Sequence, residues 1–159
     1  MCKESGTILV IDDCVELVEE LRVHGVHLGK TDMAPGKARE LLGPHAIIGE
    51  TANTADDILA MRRIDIDYIG LGPYRFTTTK ANLSPILGTE GYRNIMKQVC
   101  DAGYEIPVVA IGGITIDDID ELMTTGIRGI AMSGAITEAA DPTDYTRRVI
   151  EKLNSYIPQ

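Results

Sequence analysis

The chain has 159 residues, enough for one domain with a buried core. Its apolar and charged fractions are ordinary, which excludes disordered and fibrous classes, and with no Trp and one Phe the core must be aliphatic. A formal net charge of −9 argues against a nucleic-acid partner, so any anion site must be built locally against a repulsive background.

Taken in chain order, six short β-branched runs stand out, at residues 8–11, 25–28, 46–49, 67–71, 107–111 and 129–132. Most lack polar alternation, as parallel strands buried on both faces do. Between them run apolar residues at three-to-four spacing: Val15, Leu17, Val18 and Leu21; Ala38, Leu41 and Leu42; Ile58, Leu59 and Met61. Tyr92, Ile95, Met96 and Val99 follow, then Ile119, Leu122 and Met123, and finally Tyr145, Val149, Ile150 and Leu153. Thr54, Thr115 and Asp141 (before Pro142) are expected N-caps, and Gly43, Gly103 and Gly126 stand where left-handed helix ends are wanted. The unit is β-turn-α, repeated about six times in a single domain spanning residues 1–159. Two architectures accommodate it, a (β/α)₈-type barrel or an open doubly wound sheet. A full barrel usually needs about 250 residues, so this chain would supply an incomplete one.

Both architectures place ligands at the carboxyl ends of the strands. Asp12-Asp13 follows the first run, Gly29-Lys30-Thr31-Asp32 the second and Glu50-Thr51-Ala52-Asn53 the third. Asp13 and Asp32 stand at the ends of consecutive strands, and two hard carboxylates suit Mg²⁺, which keeps few protein ligands. Helix-start aspartates placed to favour the dipole are the plainer reading of either residue alone. After the fourth run, residues 70–80 combine Gly70, Gly72 and Pro73 with Thr77, Thr78, Thr79 and Lys80, which are donors a phosphate requires. A solvated turn fits that segment equally well in isolation. Gly112-Gly113 and Ser133-Gly134 close the series and match the late phosphate site of barrel enzymes. His27 reads as a packed core histidine, His24 and His45 as surface residues, and Arg62-Arg63 as a solvated helix end. Three cysteines without metal-ligand spacing suit a reducing cytoplasm. No apolar run reaches membrane-spanning length.

In their order and spacing, Val10-Ile11-Asp12-Asp13, Gly25-Val26-His27-Leu28-Gly29, Asp32, residues 67–73, Thr77-Thr78-Thr79-Lys80 and Ala110-Ile111-Gly112-Gly113-Ile114 resemble the thiamine phosphate synthase and thiazole tautomerase family. The resemblance implies a (β/α)₈ barrel and a Mg²⁺-dependent transferase. Its small-molecule substrates would be hydroxymethylpyrimidine diphosphate and thiazole phosphate, and pyrophosphate would leave through a dissociative pyrimidine-methyl cation. It assigns Asp13 and Asp32 to Mg²⁺, Asp12 and Thr51 to the pyrimidine diphosphate, and Lys80 to the departing pyrophosphate. Thr77 and Thr79, with Gly113, Ser133 and Gly134, fall on the thiazole phosphate cradle, and Thr78 between them counts among the substrate-binding residues.

Three departures accompany it. The family's first two βα units, with a basic strand that grips the diphosphate, have no counterpart, so an N-terminally truncated barrel is expected. Its sheet edges would invite self-association. Asp12 replaces an Asn and adds negative charge. Asn53 stands where the tautomerase branch uses a histidine, which favours the synthase. A non-catalytic phosphate-binding fragment is a further reading, as is a receiver-type phosphoacceptor domain. The latter is suggested by the acidic end of the first strand and opposed by Glu50-Thr51 where its acceptor Asp would stand.

Overall fold

The computed structural model describes residues 2–76 and 85–156. Six strands form one parallel sheet: β1 (Val10–Asp12), β2 (Gly25–Leu28), β3 (Ile47–Ala52), β4 (Tyr68–Leu71), β5 (Val108–Ile111) and β6 (Gly129–Ala131). Helix α1 (Cys2–Ser5) precedes them, and α2 (Val15–Leu21), α3 (Pro35–Leu42), α4 (Ala55–Ala60), α5 (Gly88–Asp101), α6 (Ile119–Met123), α7 (Gly134–Thr137) and α8 (Pro142–Asn154) intervene or follow. All six anticipated runs become strands.

The strand order is strictly sequential, β1 to β6. A doubly wound sheet reverses its order at a switch point, and this one never does. Right-handed crossovers then place the helices that join successive strands on the same face, as in a (β/α)₈-type barrel, of which these six units form a part.

The sheet is sided. Val26, Leu28, Ile48, Ala52, Ile69, Leu71, Val108 and Ala110 alternate onto the helix-covered face and are wholly buried. Around β2 and β3 they pack against Val15, Val18 and Ala38, and around β4 and β5 against Ile58, Tyr92, Val99 and Leu122. The opposite face carries His27, Gly49, Thr51, Tyr68 and Gly70 (register pairs His27–Gly49–Tyr68 and Thr51–Gly70). The expectation of strands buried on both faces is therefore met on one face only.

The caps form as anticipated. Thr54 Oγ1 accepts the Asp57 amide at 3.1 Å, and the Asp57 carboxylate in turn accepts the Thr54 amide at 2.9 Å. Asp141 accepts the Asp144 amide, and Gly43, Gly103 and Gly126 all take positive φ. Arg39, mostly buried, clasps Asp67 at 2.7 Å and the carbonyls of Gly43 and Ala46, tying α3 to the entry of β4.

Candidate functional site at the strand ends

The site is built strand by strand. Asp12 is the last residue of β1 and pairs in register with His27. Asp13, just beyond, adopts φ +66, a left-handed conformation that Asp tolerates better than most residues, and its amide donates to the His27 carbonyl at 2.9 Å. Asp32 closes a tight turn after β2, its Oδ2 accepting the Gly29 amide at 2.6 Å. A Cβ added to Gly29 would stand 2.9 Å from Asp32 Oδ2 and 4.0 Å from Asp13 Oδ1. The two carboxylates thus converge on one small region. Among the described residues no third His, Cys, Asp or Glu joins them in a group suited to a metal. Such a pair suits a hard cation that completes its shell with water and ligand oxygens.

β3 runs on to Ala52, so Glu50 and Thr51 lie within the strand and not after it, a correction to the loop expected there. The cause is the ladder to β4, which continues through Thr51–Gly70 and Ala52–Leu71. Thr51 consequently points onto the open face, where its hydroxyl meets His27 Nε2 at 3.0 Å. His27 Nδ1 meets the Tyr68 hydroxyl at 3.1 Å, and the two rings stack with centroids 5.5 Å apart. Gly49 and Gly70 make room for this layer: a Cβ on Gly49 would lie 2.2 Å from the Tyr68 ring, and one on Gly70 2.8 Å from His27. His27 is therefore only half-buried and belongs to the site, contrary to its reading as a core histidine. Burial, with the Asp12 charge in second place, raises the Tyr68 phenol above its ordinary range. Tyr68 thus stays a neutral hydrogen-bonding group.

Glu50 alternates to the other face, between Leu28 and Ile69 in register, and is 6% exposed. Its Oε2 is buried and finds no hydrogen-bond partner among the described residues. Burial pushes its carboxyl up to about 7, helped by the negative charge of Asp32 and opposed by Lys30.

After β4 the chain turns through a cis Gly72-Pro73 peptide. The Tyr74 and Arg75 amides donate to the carbonyls of Ile111 and Gly112, each at 2.9 Å. Arg75 grips the Asp118 carboxylate with both terminal nitrogens, at 2.8 and 3.0 Å, and the Gly113 carbonyl at 2.7 Å. Gly112 and Gly113 have φ of +99 and +66, and Cβ atoms there would press on Pro73 and Arg75. Both glycines are thus demanded by crowding as well as by conformation. Ser133 and Gly134 follow β6, at the start of the four-residue α7. Glu138 Oε1 lies 3.6 Å from where a Gly134 Cβ would stand. Thr77, Thr78, Thr79 and Lys80 lie outside the described residues. The remaining predicted residues, Asp12, Asp13, Asp32, Thr51, Gly113, Ser133 and Gly134, all stand at the same end of the sheet. Asp57, Arg75 and Asp118 join the strand-end contacts without having a role in the sequence reading. The Thr54-to-Asp57 and Thr115-to-Asp118 spacings carry the capping-box signature that points to two of them.

With that geometry in place, comparison with known proteins gives consistent matches. The family model described as thiamine monophosphate synthase matches residues 1–136. The thiamine-phosphate synthase of Bacteroides fragilis is 55% identical over 150 residues, covering 94% of this chain and 74% of that protein. Its counterpart from Flavobacterium psychrophilum is 44% identical over 153 residues, covering 96% and 74%. Among solved structures, thiamine phosphate pyrophosphorylase from Pyrococcus furiosus superposes with a TM-score of 0.83 at 30% identity, over 99% of this chain and 72% of that one.

Proposed function

The chain belongs to the thiamine monophosphate synthase family, and from this we propose that it transfers the hydroxymethylpyrimidine group from its diphosphate to thiazole phosphate. The C–O bond to pyrophosphate breaks, the thiazole nitrogen forms the new C–N bond, and the products are thiamine phosphate and pyrophosphate. The observation that carries the reading is the convergence of Asp13 and Asp32 at the strand ends, with Thr51 held by His27 at the same end of the sheet. We assign Asp13 and Asp32 to a divalent cation, Mg²⁺ by the hardness of its donors. When bound, the ion would neutralise charge on the phosphate oxygens.

The chemical demand is to stabilise the departing pyrophosphate rather than to activate a nucleophile. His27 holds the Thr51 hydroxyl on the open face, where we place it as a contact to the pyrimidine diphosphate. We assign Lys80 to the leaving group as a point charge, and Thr77 and Thr79, with Gly113, Ser133 and Gly134, to the thiazole phosphate. Asp12, negative and beside this site, weakens anion binding unless a cation offsets it.

Two other readings fare worse. A tautomerase needs a proton-transfer group where Asn53 stands, and that amide instead donates to the Gly72 carbonyl at 2.5 Å. A receiver domain has the 2-1-3-4-5 strand order, which the sequential sheet excludes. No described helix is long and apolar enough to cross a membrane, and we place the protein in the cytoplasm, where its three thiols would stay reduced.

The test is incubation with both phosphorylated substrates and Mg²⁺, following thiamine phosphate. Product is expected from the wild type, with a loss of about a hundredfold or more in kcat for Asp32→Asn. A wild type without product, or an Asp32→Asn variant as active as wild type, would refute the assignment.

A further inference from the structure

The strand-end loops are joined sideways by side chains that the reading above leaves without a role. Lys30, in the loop after β2, reaches across β3 to Asp57 on α4, Nζ to Oδ2 at 2.7 Å. The same Asp57 oxygen accepts the Asn53 amide at 2.9 Å, and the Asn53 side chain donates to the Gly72 carbonyl at the end of β4. Three residues further on, Arg75 reaches Gly113 and Asp118 beyond β5. The result is two sets of polar contacts, Lys30 to Gly72 and Arg75 to Asp118, joined by the backbone from Gly72 to Arg75 and together spanning the ends of β2, β3, β4 and β5.

Each link lies close in sequence to a residue assigned to substrate or metal. Lys30 is near Asp32, Asn53 near Thr51, and Arg75 near Thr77, while Gly113 is itself a link. Lys30 and Asp57 retain side-chain exposures of 44% and 25%, and ion pairs so placed contribute little to stability. Asp57 is nonetheless held firmly. Burial alone would raise its carboxyl, but the bonds from Lys30, the Asn53 amide and Thr54 outweigh that and hold it below its ordinary range.

We propose that Lys30, Asp57, Asn53 and Arg75 form a lateral brace of positioning residues. The brace sets the distance between the carboxylate pair after β1 and β2 and Gly113 of the thiazole phosphate cradle after β5, a role that rests on the synthase reading above. Transfer between two separately bound substrates depends steeply on that distance, because misplacement of about 1 Å costs rate far from the altered contact.

The experiment uses Lys30→Met, with Lys30→Arg as the conservative control. Lys30→Met should lower kcat about tenfold and raise KM for thiazole phosphate, two strands away, with an unchanged unfolding midpoint. Lys30→Arg should restore both. Independently of activity, amide hydrogen exchange at Tyr74 and Arg75 should quicken about tenfold in Lys30→Met. If Lys30→Met does not fold, Asn53→Ala carries the test, since it removes the bond to the Gly72 carbonyl and keeps the Asn53 backbone amide on Asp57. Unchanged exchange at Tyr74 and Arg75 would overturn the brace, as would kinetic losses that merely track stability. If the wild type makes no thiamine phosphate, the synthase reading fails, and the exchange measurement still decides whether the ends are coupled.

Discussion

Glu50 shows how much one side chain can carry. Its neighbours across the sheet, Leu28 and Ile69, are wholly buried, and it places a carboxyl among them with one oxygen unpartnered among the described residues. Because its folded pKa is raised from 4.5 to about 7, the folded state holds the proton more tightly than the unfolded chain. Its contribution is therefore fully favourable below about pH 4.5 and is lost as pH rises through about 7. The loss amounts to at most about 3 kcal/mol, reduced by whatever solvent screens the carboxylate near the strand end. Glu50→Gln should remove this slope, so that urea unfolding shows the variant more stable than wild type at about pH 8 and similar at about pH 4.5. Parallel pH profiles for the two proteins would contradict the account. In sequence, Gly49 looks like the end of a strand and so places Glu50 in a loop. His27 is obscured for a related reason: its apolar neighbours Val26 and Leu28 face the helices, and it faces the opposite side. Composition along a segment does not say which face each residue takes when the register is unknown.

Among the elements, α5 does more than cover the sheet. Its Tyr92 is fully buried, donates its hydroxyl to the Leu71 carbonyl and accepts the Ile111 amide at 3.3 Å. One phenol therefore ties the ends of β4 and β5 together directly beneath the loops that bear the site. Tyr92→Phe keeps the ring and strands those backbone groups, at an expected cost of about 1–3 kcal/mol. Equilibrium urea unfolding with an unchanged m-value measures it, and a cost indistinguishable from zero would mean that water replaces the hydroxyl. The three-to-four spacing of Tyr92, Ile95 and Val99 makes this helix legible, and all three are buried. The hydrogen bonds of Tyr92 are not legible, since they join segments separated in sequence and meet only after the sheet has formed. The caps at Thr54 and Thr115 are readable because their partners lie three residues away.

Across the sheet as a whole, the sequential strand order leaves β1 and β6 as the outer strands. Expressed as these 159 residues, the polypeptide is expected to self-associate at micromolar concentration, because outer strands offer unpaired backbone groups to a second copy. Sedimentation velocity is the check, and a single monomeric boundary across that range would count against it. The six βα units, their caps and the chemistry gathered at the strand ends are all written in the chain locally. Each is encoded within a few residues, by periodicity or by a side chain's own donors and acceptors. The sequential order of the sheet, the convergence of Asp13 and Asp32, and the opposite facings of Glu50 and His27 come from the folded arrangement instead. So do the contacts running from Lys30 to Arg75. All of these depend on register and spacing between segments far apart in the chain, and local patterns carry no such information.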